Sequence, residues 1–532
     1  MNDFAPLFIA TPGADAELTP EIAGGKAAEL WRMSQLGLNV PPAFVLPTTL
    51  CAAVNRCEPQ ALEAMEQGLR DGIARLEEVT QKRFGDSRAP LLVSVRSGAA
   101  QSMPGMLDTI LDVGLNAASL QGLISLTGNP RLAWDSYRRF TQMFAEVVQG
   151  APASVFEARL AEMVHNEAVS DEAELDGEAL ERLTHGFQEA AFAATGQAIP
   201  ADPMAQLAAA ARAVFHSWES ARAKEYRRLN DLEDLAGTAV TVQAMVFGNA
   251  GSKSGAGVAF SRNPATGEKA LYADFLPNAQ GEDVVAGRRM PGGVSLLAER
   301  LPEVADELAK GAAKLEAEFH DVQDIEFTVE EGRLFFLQTR SAKRTPRAAL
   351  RVLVDFVNEG VLDRETALKR AESIDLEKAR LTRFADECKP LATAISAAPG
   401  VASGRVAFST AKAQALAVDG TSVILVRHDT STEDVAGFAV AAGILTAAGG
   451  RTAHAAVVAR QLGKACLVGC KALQIAEDGH RATLAGEKLG EGDWLSLDGE
   501  SGAVTMGKRE IIAELPEAEM AALESWRGAK AN

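Results

Sequence analysis

His454 stands where a glycine loop runs into an apolar helical stretch, Thr446-Ala-Ala-Gly-Gly-Arg-Thr-Ala-His-Ala-Ala-Val-Val-Ala-Arg-Gln-Leu-Gly-Lys-Ala-Cys-Leu-Val-Gly-Cys470. A helix start presents unsatisfied N–H groups and partial positive charge, which hold phosphate well. A histidine there can accept a phosphoryl group at a place that stabilises the product. Taken alone, the segment also reads as a buried histidine in a glycine turn. Arg451 lies three residues earlier. A nearby guanidinium disfavours imidazolium and favours an anionic phosphoryl group. Arg451 is therefore expected to keep His454 neutral and stabilise its phosphorylated form, or to meet an anionic acceptor. Thr452 reads as a helix cap or a phosphate contact. His428, near a predicted strand end, reads as an ordinary surface or core histidine.

A second group of residues suits a nucleotide and its metal. Lys26 follows two glycines at a helix start, where backbone can approach a phosphate and lysine adds a point charge. Arg96 stands at a predicted strand end before Ser97-Gly98. A surface ion pair explains either residue equally well. The loop Gly248-Asn-Ala-Gly-Ser-Lys-Ser-Gly-Ala-Gly257 has four glycines in ten residues, Gly255 and Gly257 among them. It reads as a lid over phosphates or as a long hairpin loop.

Residues 324–340 predict a hairpin. Side chains alternate across a strand. A three-residue loop Glu331-Gly332-Arg333 would set Glu326 opposite Gln338. A carboxylate beside a carboxamide oxygen makes a hard-oxygen site for Mg²⁺ bridging phosphates. Arg340 can bind a phosphate bidentately. Asp324, Glu326, Gln338 and Arg340 all cluster away from the turn, which a merely solvated strand face would not require.

These residues need elements to hold them. The helical run 27–36 ends at Gly37, and residues 43–46 read as a short strand. Residues 91–97 read as a buried strand. Residues 116–235 read as a helical insertion, 295–320 as an acidic amphipathic helix, and 346–385 as a charged helical connector and hinge region. Glycine-rich short strands, including 422–426, follow to about residue 508. The last stretch is acidic.

The motifs resemble the pyruvate phosphate dikinase family. They include Gly24-Gly25-Lys26, Val93-Ser-Val-Arg-Ser-Gly98, Met103-Pro-Gly-Met-Leu-Asp-Thr-Ile-Leu111, Gly257-Val-Ala-Phe-Ser-Arg-Asn-Pro264, Asn278-Ala-Gln-Gly-Glu-Asp-Val-Val-Ala-Gly287, Gln323 to Thr345 and the His454 segment. The resemblance covers the whole chain. It implies an α/β and α+β multidomain protein: an ATP-grasp domain over 1–345 with the insertion at 116–235, a connector at 346–389, a swivelling β/α phosphohistidine domain over 390–508, and an acidic tail at 509–532. It implies that His454 is phosphorylated, and that Lys26, Arg96, Asp324, Glu326, Gln338 and Arg340 serve ATP and Mg²⁺. Arg451 replaces the family's usual Met, Ala453 its Ser, and Ala256 a lid Thr.

The implied reaction sends the β-phosphoryl group of ATP to His454 and the γ-phosphoryl group to orthophosphate or water. The motifs around Met103 and Asn278 favour orthophosphate. The family's phosphoenolpyruvate and pyruvate barrel has no room after residue 504. Either a partner supplies the barrel in trans and the acceptor is pyruvate, or the acceptor is another small-molecule hydroxyl, or the sequence is a truncated piece of a longer chain. A catalytically weak nucleotide-binding regulator is the non-enzyme reading. A formal net charge of −19 argues against nucleic-acid or anionic-membrane partners. Five scattered cysteines suggest a reducing cytoplasm, and a homo-oligomer remains open.

Overall fold

The computed structural model describes residues 4–11, 17–101, 103, 107–285, 292–386, 388–430, 434–450, 454–476 and 481–528. The chain separates into two compact units, Met1–Ala250 with Phe335–Gln338, and Gly251–Leu334 with Thr339–Asn532.

The first unit is built on a five-stranded antiparallel sheet. Its order is Leu7–Ile9, Ala43–Leu46, Thr238–Ala244, Val93–Ala99, Thr109–Val113. Ala43–Leu46 and Thr238–Ala244 are buried at every position, so both sheet faces are covered. Six α-helices lie between Ala117 and Leu229, as the composition of 116–235 predicts. Polar side chains start several of them. Asn116 and Ser119 form a capping box, and Asp176, Asp202 and Ser220 each accept from a first-turn N–H. The insertion is not a separate body, because Phe140, Phe156, Phe187 and Phe215 share one core with Val95, Val240 and Val242 of the sheet.

Another five-stranded sheet is ordered Gly292–Gly293, Tyr272–Pro277, Gly255–Phe260, Gln323–Glu330, Arg333–Ser341. The helix expected over 295–320 is two helices, Val294–Arg300 and Pro302–Phe319. Pro302 lacks the N–H needed to continue the first, and proline suits the first position of the second.

The connector is tied down along much of its length. Leu353 and Phe356 of helix Pro346–Asn358 share a core with Leu523 and Trp526 of helix Glu517–Gly528. Arg262, fully buried, donates from Nη2 to Glu316 at 2.8 Å and to Glu359 at 2.6 Å, and lies 4.7 Å from the Phe356 ring centroid. Helix Arg364–Ala371 joins the same core through Ala367 and Ala371. Residues 346–371 are thus held by packing and a buried ion network. Beyond them, strand Leu381–Phe384 pairs antiparallel with Ile511–Glu514, on the chain's way out to the last sheet and back.

That sheet has eight strands, ordered Ala392–Thr393, Ala503–Met506, Trp494–Asp498, Val401–Ala407, Val423–Arg427, Gly443–Thr446, Ala465–Val468, Ile395–Ala398. Val401–Ala407 through Ala465–Val468 are parallel, and helices Thr410–Val418, Val435–Val440 and His454–Leu462 make the crossovers. Continuous apolar runs such as Val423–Val426 are what a parallel sheet covered on both faces requires. Among the described residues, no helix is long and apolar enough to cross a membrane.

Candidate active site

In the first unit, the Gly24-Gly25 turn delivers Lys26 to the end of strand Val93–Ala99. Gly24 has φ 78°, and a Cβ on it would stand 2.1 Å from the Gly98 carbonyl oxygen. Only glycine permits this approach of helix start to strand end. Lys26 is half-buried in the first turn of helix Gly25–Gln35. Arg96 lies in the middle of its strand rather than at the end. Its guanidinium donates to Gln243 Oε1 at 3.4 Å, Leu337 O at 3.5 Å and Gln338 Oε1 at 3.3 Å. These three bonds are long and their acceptors neutral, and they orient the guanidinium. Two residues chosen from distant parts of the sequence, Arg96 and Gln338, thus meet.

In the second unit, Arg340 Nε donates to Asp324 Oδ2 at 2.8 Å. Asp324 is buried, and its Oδ1 has no hydrogen-bond partner among the described residues. Burial pushes the Asp324 carboxyl above the usual carboxylate range, and Arg340 opposes that shift. Arg340 is partly open to solvent, with 42% of its side chain exposed. Glu326 is half-buried two residues from Asp324, hence on the same face of the strand. The hairpin turn is Glu331-Gly332, two residues at φ 49° and 84°, not the three-residue loop expected. Two positive φ values match the twist of the flanking strands. Ser254 Oγ accepts from Glu331 N at 2.9 Å, and Lys253 O from Gly332 N at 2.8 Å, which clamps the tip.

The glycine segment is placed differently from a lid. Gly255 and Gly257 belong to strand Gly255–Phe260, paired on one side with Tyr272–Pro277 and on the other with Gln323–Glu330. Their backbone is committed to the sheet. A Cβ on Gly255 would stand 2.4 Å from the Phe275 ring, and one on Gly257 2.4 Å from the Phe327 ring. Those two rings stack at 6.3 Å, and the missing side chains make room for them. Ala256, on the opposite face, is fully buried in an apolar cluster. The loop placement of Gly255 and Gly257 is corrected: both are strand residues, and they make room for the two rings.

His454 is the first residue of helix His454–Leu462. It follows strand Gly443–Thr446 and the turn leading from it, so it sits at the carboxyl edge of the parallel strands, where ligands of open α/β sheets bind. That edge is well tied: Ala447 N donates to Arg427 O at 3.1 Å, Ala448 N to His428 O at 2.8 Å, and Cys470 N to Thr446 O at 2.9 Å. His428 is exposed beside this turn. Arg451 and Thr452 lie outside the described residues. Burial pushes the Cys466 thiol up to about 12 and Cys470 upward, as inert core cysteines require.

Arg460 and Tyr272 were not singled out by sequence reasoning. The available signal was a charged residue ending the apolar run Ala455–Ala459. Among the described residues no group of three or more His, Cys, Asp or Glu is placed to hold a metal ion. Mg²⁺ on a nucleotide takes one or two protein oxygens and completes its shell with phosphate and water. Glu326 and Gln338 have the chemistry for that duty.

Comparison with known proteins completes the description. Residues 60–304 and 295–359 match the family described as pyruvate phosphate dikinase, AMP/ATP-binding domain. Residues 418–502 match the PEP-utilising enzyme, mobile domain. Pyruvate, phosphate dikinase 2 of Oryza sativa subsp. japonica is 45% identical over 515 residues, covering 95% of this chain and 57% of that protein. Pyruvate, phosphate dikinase of Clostridium symbiosum is 44% identical over 494 residues, covering 92% and 56%. The chloroplastic pyruvate, phosphate dikinase of Flaveria pringlei is 44% identical over 509 residues, covering 95% and 53%. The chain thus spans a little over half the length of these curated relatives.

Proposed function

Since this chain belongs to the pyruvate phosphate dikinase family, we propose that it performs the nucleotide half of that chemistry, moving the β-phosphoryl group of ATP to His454. The support is the position of His454: first residue of a helix, at the carboxyl edge of parallel strands.

In this reading Lys26, Arg96 and Arg340 are the cations that serve the phosphates of ATP. Arg340 arrives already oriented by Asp324. Glu326 and Gln338 would hold Mg²⁺, which neutralises phosphate oxygens when bound. Neutral His454 offers a ring-nitrogen lone pair to the β-phosphorus. An N–P bond forms, and the bond from that phosphorus to the oxygen of the α-phosphate breaks, releasing AMP. The γ-phosphoryl group passes to orthophosphate, giving pyrophosphate. Splitting the transfer through a covalent phosphohistidine is nucleophilic catalysis. Thr452 and Arg451 flank the reacting residue in sequence, and Arg451 would favour the anionic product. The stored phosphoryl group would then pass to pyruvate held on the family's barrel, as the family's name implies.

The test is incubation with Mg²⁺ and ATP labelled separately at the β and γ positions, with and without orthophosphate. Wild type should acquire acid-labile β-label and release AMP, and His454→Asn should do neither. ATP binding without β-label on wild type would overturn the reading.

A further inference from the structure

Arg460 lies in the last turn of the helix that His454 begins, and it is fully buried. Removing a guanidinium from water costs several kcal/mol unless its surroundings replace the lost hydration. Those surroundings come from two sheets of the second unit. From the eight-stranded sheet, Ala397 O accepts from Arg460 Nη1 at 2.9 Å. From the five-stranded sheet, the Phe260 ring lies 5.4 Å from the guanidinium carbon.

Phe260 is the centre of a cross-strand row. It is in register with Asp324 on one side and Tyr272 on the other, so all three side chains share a face. The Phe260 and Tyr272 rings stand 6.2 Å apart. Tyr272 also donates its hydroxyl to Ser396 O at 3.3 Å, one residue from the carbonyl that Arg460 uses. Burial lowers the proton affinity of Arg460, while Tyr272, Asp324 and Asp274 support its charge. In return, Arg460 helps to hold the Asp324 carboxyl down. Asp324 is bonded on its other side to Arg340.

We infer that Arg460 is a positioning residue, which seats the His454-bearing sheet on the row Tyr272–Phe260–Asp324 and, through Asp324, links that seat to Arg340. The seat is a two-position device. An anion that draws Arg340 away from Asp324 leaves the carboxylate to Arg460 and tightens the seat. Loss of the guanidinium empties it. The link to nucleotide rests on the function proposed above. The seat itself does not.

The experiment places spin labels on Glu268→Cys and Lys488→Cys, both exposed, with the exposed Cys57 and Cys388 replaced by serine. Electron–electron distances are measured without nucleotide. The unmodified seat should give one dominant distance. Arg460→Met should lower the seated-to-released ratio by about tenfold or more, the scale of losing a cation–π contact and a charged hydrogen bond together. Phe260→Leu should act in the same direction, and Arg460→Lys should fall between. Folded Arg460→Met and Phe260→Leu proteins with the unmodified distance distribution would overturn the seat. ATP with Mg²⁺ should raise the ratio in the otherwise unmodified protein and less so in Asp324→Asn. An equal rise in both would overturn the link through Asp324. A released Arg460→Met protein together with no ATP response would count against the nucleotide reading while supporting the seat, so the two failures are separable.

Discussion

Gly257→Ala separates packing from phosphate binding at the glycine strand. The new Cβ would stand 2.4 Å from Phe327 Cζ and 2.6 Å from the Asp274 carbonyl oxygen. Phe327 is stacked on Phe275, and Asp274 belongs to the neighbouring strand, paired with Val258. Neither can withdraw alone: the ring would have to unstack and the backbone would have to leave the ladder. Overpacking of this kind costs about 1–3 kcal/mol. Replacing a strand glycine returns about 0.5–1 kcal/mol of conformational entropy. The net expectation is about 1–2 kcal/mol of destabilisation, read as a lower urea midpoint. Phe327→Leu in the same chain should recover part of the loss, because it relieves the ring clash and leaves the carbonyl clash. Gly281→Ala is the control, since a Cβ there meets nothing within 4 Å. ATP affinity of folded Gly257→Ala should stay near that of wild type. Unchanged stability with weakened ATP binding would refute the packing argument and restore the lid.

Asp324 gives a pH prediction with a definite sign. Its folded pKa is raised, so the native state binds this proton more readily than the unfolded chain. Stability relative to Asp324→Asn should therefore fall as pH rises from the unfolded aspartate range, near about 4, through the raised folded value. A difference that is flat or rises with pH in urea titrations would contradict the burial-dominated shift. The buried Arg262 network predicts an asymmetry. Glu316→Ala should cost about 3 kcal/mol, because it strips one partner from a fully buried guanidinium. Glu359→Gln should cost under about 1 kcal/mol, since Glu359 is more exposed and keeps a hydrogen-bonding oxygen. Equal losses in thermal unfolding would refute the burial argument.

The chemistry-bearing residues were legible because each carries its own local signal. A histidine after two glycines, a lysine at a glycine-primed helix start, and alternating polar residues on a short strand all follow from backbone geometry over a few residues. A strand over 422–426 was legible too, and it is Val423–Arg427 in the structure; that its neighbours run parallel to it was not. Hairpin length was misread by one residue. Turn type depends on which residues accept positive φ, and Glu331 does so here beside Gly332. Gly255 and Gly257 were misread for a different reason. A glycine that frees a loop and a glycine that admits an aromatic ring look alike until Phe275 and Phe327 are placed over them.

The sequence by itself therefore determined the candidate histidine, the candidate cations and carboxylates, and the order of the elements that carry them. Only the tertiary structure decided which residues meet. Arg96 and Gln338 are 242 positions apart, and no local pattern relates them. Arg262 and Glu359, and Arg460 and Phe260, are likewise joined only when sheets and helices pack. The reason is physical. Propensity and periodicity act along a few residues of chain, whereas a buried charge is tolerated only where distant segments together replace its water.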